Sequence, residues 1–266
     1  MNRGCIRALA ISCAVALAPQ AGAQDMMRHV DLSSPDMVSA EMTRAEVEAA
    51  LAAATAGKPA DFTGKRLSGL DLSRLDLSGA VLRAARLNKT NLSGATLDRA
   101  VLDQAWLLEA DLRQASLKEA NLFATQMQRA KLDGADLSGA RVVANFTGAS
   151  LVGASFASAR MGADMKNQSM GLMRAVLMSA KLDRANLRGV DLSRADLQFA
   201  SLKDADLTDA VLAGADLGGA DFAGAVVAGA DFTGADLTST RLAGAIGLDA
   251  AKNLDQARNL SRAIRN

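Results

Sequence analysis

From Phe62 onward a large apolar residue returns every fifth position: Leu67, Leu72, Leu77, Leu82 and so on to Leu137 and Val142. Two places before each stands a small residue, as at Ala80, Ala95, Ala100, Ala105 and Ala110, and on to Ala235 and Ala245. The register resumes at Leu177, Leu182, Leu187 and Leu192, and reaches Phe222, Val227, Phe232, Leu237 and Leu242. A step of five rotates a helix about 140° per apolar residue and scatters the leucines around the axis. In a strand, an odd step sends successive leucines to opposite faces. The pattern therefore demands a turn of the chain once per repeat, and the period decides the architecture.

Between those two runs the register moves. After Val142 the centres are Phe146, Leu151, Phe156 and Met161, one residue early, and the phase is restored by Leu177, which is 35 residues, or seven fives, beyond Val142. Zero net slip predicts one continuous structure with an irregular coil or small bulge near 142–177, with a hinge between two rods as the competing reading.

The flanks follow other rules. Thr43-Arg44-Ala45-Glu46 fits a capping box, and "AEVEAALAAATAG" predicts a helix ending at Gly57 and Pro59, with Val47 and Leu51 on one face against the first coil near Phe62. An open β-rod needs covers at its ends, so 24–59 is read as an N-terminal segment with a capping helix. In 246–266 leucine recurs every six residues (Leu248, Leu254, Leu260), which predicts turns or short helix covering the last coil, with Lys252, Arg258, Arg262 and Arg265 outside. Homodimerisation through this tail competes with that reading.

The quoted fives, such as Ala135-Asp136-Leu137-Ser138-Gly139 and Ala235-Asp236-Leu237, resemble the pentapeptide repeat family over about 37 repeats in 60–245. That resemblance implies an all-β solenoid, a right-handed quadrilateral β-helix with four pentapeptides per coil and both the small residue and the centre pointing inward. About nine coils at ~4.8 Å would make a rod of roughly 45 Å.

Composition sharpens this picture. Half the chain is hydrophobic but only 3% is aromatic, with no tyrosine, as expected of a core filled by small and branched side chains. Arg3 and Arg7, the apolar run "IRALAISCAVALA" and Ala21-Gly22-Ala23 read as a cleavable signal peptide over 1–23, cut after Ala23, and hence a periplasmic or secreted protein. An uncleaved anchor or a misplaced start is the alternative. Removing Arg3 and Arg7 takes the formal charge from +1 to −1, which gives no general attraction to nucleic acid or anionic membrane. Both cysteines, Cys5 and Cys13, fall in that leader, leaving no thiol for a disulfide, a nucleophile or a metal.

Candidate chemistry is sparse. No Walker loop, zinc spacing, nucleophile elbow or EF-hand loop is present, and the only histidine, His29, stands near the start of the mature chain. Met161, Met165, Met170, Met173 and Met178, with Met26, Met27 and His29, suit either gap filling or Cu(I); gap filling is preferred, and no cofactor or small-molecule substrate is expected. Asp196, Asp216 and Asp236 are twenty apart and should stack as a ladder, read as a solvated face with a cation or basic-partner track as the alternative.

Outward apolar residues suggest a partner surface. Val81, Val101, Phe123 and Val143 are expected outside on one side, and Trp106 and Leu108 on the next, edged by Arg86. The preferred function is a non-enzymatic exported scaffold binding an unidentified protein there. The alternative implied by the resemblance is mimicry of DNA, since some family members protect DNA gyrase from quinolones with an acidic rod. From Val190 to Thr240 nine aspartates face one arginine and one lysine, seven net negative charges, but the near-neutral mature chain and its export weigh against that alternative. An enzyme would need a constellation of reactive groups that the sequence does not supply.

Overall fold

The computed structural model describes residues 30–55, 57–162 and 174–265. Within each five-residue unit the residue before the apolar centre pairs in parallel with the residue twenty positions on, as in Asp61 with Val81 and Val81 with Val101. Twenty is four fives, so the chain winds into four-sided coils with four ladders, called here the Asp61, Arg66, Asp71 and Asp76 faces. Stacking satisfies the backbone. Leu82 N–H donates to Val101 O at 2.7 Å, Val101 N–H donates back to Ala80 O at 2.9 Å, and Ala84 N–H donates to Asp103 O at 2.9 Å. A further N–H closes the corner: Ala85 donates to Leu82 O at 3.1 Å.

The corner explains why a fifth residue is needed. Its last position has positive φ, between +52° and +60° for residues with side chains such as Ala84 and Arg194. That left-handed residue turns the extended piece through a corner so that the next unit runs along the adjacent side. Inside, alanines and centres are buried almost without exception, including Leu82, Leu102, Leu122, Phe222 and Phe232. Thr90, Thr125 and Thr240 replace alanine at no exposure because each hydroxyl donates to the carbonyl of a leucine in the coil before, at 2.8 to 2.9 Å.

Three departures break the rule of five. The side from Arg141 to Asn145 has four residues, and Gln126 accordingly pairs with Asn145, nineteen positions on. No residue between Arg141 and Asn145 has positive φ, so the omitted residue is the corner residue. Further on, Asn145 pairs with Val176 and Arg160 with Asp191, thirty-one positions apart instead of twenty. Met161 and Ala175 are both fully buried, so the core closes across this gap. One residue is lost at a corner and the later pairings are eleven residues longer than twenty, a net of ten or two whole units, which restores the phase; residues 163–173, where the sequence places the compensation, lie outside the described residues. The ladders run on through the gap, as one rod and not two hinged ones.

The third departure is the C-terminal segment. Lys252, Arg258 and Ile264 continue three ladders from Asp231, Asp236 and Arg241, at spacings of twenty-one, twenty-two and twenty-three. The six-residue leucine period is thus a coil with longer sides, each carrying a single-turn 3-10 helix (Leu248–Ala250, Leu254–Gln256, Leu260–Arg262). It covers the preceding coil by stacking, and its own inner leucines and alanines are only half-buried.

At the other end two helices precede the rod among the described residues. α1 (Pro35–Val38) lies along the side of the rod, and α2 (Arg44–Ala52) lies over its end. The capping box at Thr43 and Glu46 is formed, Val47 is fully buried, and Leu51 packs against the same core. α2 stops at Ala52, five residues before Gly57, because the chain turns into a tight pairing of Thr55 with Lys58.

Candidate functional site

The ladders locate every residue of the expected partner surface. Val81 and Val101 are consecutive rungs of the Asp61 face, and Arg86 and Trp106 are consecutive rungs of the Arg66 face. All four are half-buried. The corner between these faces carries Arg83 and Asp103, paired at 3.6 Å, so a charged edge divides the surface that the sequence suggested was contiguous. Phe123 is capped by the Arg141 guanidinium, 4.5 Å from the ring centre. Val143 is a correction: at 5% exposure it is buried, because the shortened side from Arg141 to Asn145 draws it inward where a regular corner would point it out.

Leu108 meets a different neighbour, the chain's own N-terminal segment. Residues 30–42 run beside the Arg66 face as a strap. Ala40 pairs antiparallel with Leu67, and Glu41 N–H donates to Arg66 O at 2.9 Å. Met37 in α1 is buried, and its carbonyl accepts from Asn88 Nδ2 at 3.0 Å. Asn88 Oδ1 in turn accepts from Leu108 N–H at 3.0 Å, so one buried amide links strap and ladder. Arg66 Nη1 pairs with Asp36 at 2.7 Å, while Lys65 Nζ lies 3.4 Å from Glu41. A cavity of about 350 Å³ opens between strap and rod, lined by Leu32, Met37, Val38, Asn88, Lys89 and Leu108, among others.

The aspartates turn out to be structural. Asp231 Oδ1 accepts Thr233 N–H at 3.0 Å and its hydroxyl at 2.6 Å, and Asp61, Asp71, Asp216, Asp221 and Asp236 accept the N–H two residues on in the same way. This local bond holds the extended piece entering each corner. The Thr233 hydroxyl, with Asn253, holds the Asp231 carboxyl below the usual carboxylate range. In the ladder singled out from sequence, Asp196 pairs with Asp216 and Asp216 with Asp236. Asp216 accepts Gln198 Nε2 at 2.6 Å, Asp236 accepts Asn259 Nδ2 at 3.0 Å, and Asp196 lies 3.1 Å from Arg174 Nη2. Burial pushes the Asp196 carboxyl up. These bonds leave the ladder largely engaged within the protein.

A second set of carboxylates follows the centre instead of preceding it, and the repeat consensus gives no sign of it. Asp98 accepts Lys118 N–H from the next coil at 3.0 Å together with the Ser116 hydroxyl, and Asp133 and Asp183 clip the following coil likewise. Phe199 was also missed. It is 65% exposed, with φ of +57°, and its ring lies over Gly219, where an added Cβ would come within 2.6 Å. The only sequence signal is a large apolar residue at a corner position otherwise held by glycine, alanine, serine, glutamine or charged residues. The other large apolar side chains exposed among the described residues are Leu32, Val38, Ile246 and Ile264.

Of the methionines weighed for metal, Met161 is in the core and Met178 is half-buried. Met26, Met27, His29, Met165, Met170 and Met173 lie outside the described residues, as does the 1–23 leader. Among the described residues no three histidine, cysteine or carboxylate side chains are grouped to hold a metal ion, and no helix is long and apolar enough to cross a membrane.

Comparison with known proteins names the class. The model of pentapeptide repeats matches eight copies over residues 60–99, 76–114, 97–139, 172–209 and 205–246, leaving out the stretch where the register breaks. The chain belongs to the pentapeptide repeat family, and its rod is a right-handed quadrilateral β-helix. Among solved structures it is similar to HetL, a pentapeptide repeat protein involved in heterocyst differentiation regulation in the cyanobacterium Nostoc sp. strain PCC 7120. The identity is 34% over 77% of this chain and 86% of HetL, with a TM-score of 0.53. It is also similar to QnrB1, a plasmid-mediated fluoroquinolone resistance protein, at 18% identity over 76% of this chain and 92% of that one, with a TM-score of 0.55; this likeness concerns the fold alone. No curated protein sequence matches the chain.

Proposed function

We propose that this chain is an exported, non-enzymatic scaffold that binds a protein partner through the Arg66 face of its rod. The observation that carries the reading is Trp106. Eight residues of the chain are aromatic, and five phenylalanines are fully buried in the core. The single tryptophan is instead an outward rung between Arg86 and Gln126. Tryptophan and arginine are the residues that most often anchor protein interfaces. Likeness to HetL, a protein of regulation, supports an interaction role over catalysis. Export rests on the leader pattern at 1–23 and its small-residue cleavage motif.

The C-terminal coil supports a second contact, between two copies. Leu254 and Leu260 are half-buried there and Ile264 is 46% exposed. The partner reading is tested by crosslinking in the periplasmic fraction with the wild type and Trp106→Ala. The expected result is one adduct lost in the variant; an unchanged adduct pattern removes the Arg66 face as the site. Fractionation with mass spectrometry of the mature N-terminus tests export, and a mature chain beginning at Met1 in the cytoplasm overturns it.

A further inference from the structure

The strap packs on the rod beside a cavity that it leaves partly unfilled. Asp36 and Met37, adjacent in the strap, meet two distinct features of the rod. Asp36 reaches the Arg66 guanidinium, and Met37 is buried, with its carbonyl on Asn88. Asn88 is itself 8% exposed, a buried polar side chain whose two ends bond the strap and Leu108 N–H. Two observations show that the fit is partial. Arg66 Nε is buried and lacks a hydrogen-bond acceptor, with Glu41 Oε2 3.6 Å away. The cavity of about 350 Å³ continues beside Met37, walled by Leu32, Val38 and Leu108, and Val38 is 52% exposed at its edge.

We infer that the surface formed by Arg66, Asn88 and Leu108 is a binding site for a peptide segment of a partner carrying an acidic residue followed by a large apolar one, and that the strap occupies it as an intramolecular competitor. The chemistry of the occupant is read from the strap. A carboxylate placed against the Nε edge of Arg66 supplies the acceptor that Glu41 Oε2, 3.6 Å away, does not, and so pairs the guanidinium more fully than Asp36, which reaches Nη1 alone. A larger apolar side chain than methionine enters the cavity that Met37 leaves. Tethering gives the strap an effective concentration of about millimolar or above, so a better-fitting segment displaces it only with a real gain in affinity. This inference refines the proposed partner surface and rests on that reading for its biological use, but the site itself is testable without any partner.

The probe is a labelled peptide of residues 30–42 of this chain, followed by fluorescence anisotropy. The protein is the full mature chain, either unchanged or with Asp36→Ser and Met37→Ser to free the site. The expected result is binding to the freed variant at least about tenfold tighter than to the unchanged chain, lost again when Arg66→Gln or Asn88→Ala is added. Two added variants guard against one that fails to fold, and each is checked by its melting temperature. Equal binding to the unchanged and freed chains, or none to the freed chain at millimolar peptide, overturns the inference and makes the strap a covalent brace only. The peptide involves neither Trp106 nor a partner, so its failure leaves the crosslinking result standing, and the reverse holds too.

Discussion

The rod ends in two different ways. At its N-terminal end α2 lies across the first coil, with Val47 fully buried and the helix started by a reciprocal capping box. Arg44 extends the seal by donating to Asp71 O at 3.0 Å and Ser73 O at 3.3 Å, backbone carbonyls of the first coil. At its C-terminal end the last coil only widens its sides from five residues to six, and leucines and alanines facing the axis stay partly exposed. A solenoid is stabilised by neighbour on neighbour, so its two end coils each lack one neighbour. One end replaces the missing neighbour with a helix from the same chain; at the other, the inner leucines and alanines of the last described coil stay partly exposed.

Substitution of one charge at each end gives the largest contrast. Val47→Asp buries a carboxylate with no partner and should cost about 3 kcal/mol or more. Leu260→Asp, at a half-buried position, should cost less than half of that and weaken self-association. Urea unfolding and analytical ultracentrifugation read the two quantities, and equal costs would erase the distinction between the ends. A smaller effect is expected of Thr43→Ala, which removes the capping hydroxyl and should lower stability by about 1 kcal/mol.

Smallest is a pH effect confined to the sealed end. The backbone N–H of Thr43, followed by its hydroxyl, holds the Glu46 carboxyl below its ordinary value of 4.5. A lowered pKa in the folded state contributes stability above 4.5 that is lost as pH falls through the folded value. Melting temperatures of the wild type should therefore drop more steeply below pH 4.5 than those of Glu46→Gln. Parallel curves would mean that the carboxylate contributes nothing as an ion.

Much of this molecule is legible from the spacing of its residues, because each five-residue unit is a complete structural sentence: small residue, polar rung, large centre, corner. Leu82, Leu102 and Leu122 stack as the period requires, and Thr43 with Glu46 forms its cap. The departures were less readable. Shifts of one and eleven residues look the same as a cancelled slip when only the phase of Leu177 is counted, and the leucine period of six at Leu248, Leu254 and Leu260 conceals a coil. The candidate surface was hardest, since outward position along a ladder does not mean exposure. Val143 is lost to a short side, and Leu108 lies against a cavity bordered by a strap whose contacts, from Asp36 to Arg66 and from Met37 to Asn88, join residues 30 and 51 positions apart.

Continuity of the coils through the register break is the claim on which the rest depends, and a distance across it is the most direct test. Asp71 and Arg241 lie on one ladder, joined through residues 91, 111, 131, 150, 181, 201 and 221, which makes eight steps. At ~4.8 Å per rung, spin labels at these two positions should give one narrow distance near 38 Å by pulsed electron resonance. A broad distribution, or one centred well below that value, would mean two rods joined by a hinge and would contradict the account.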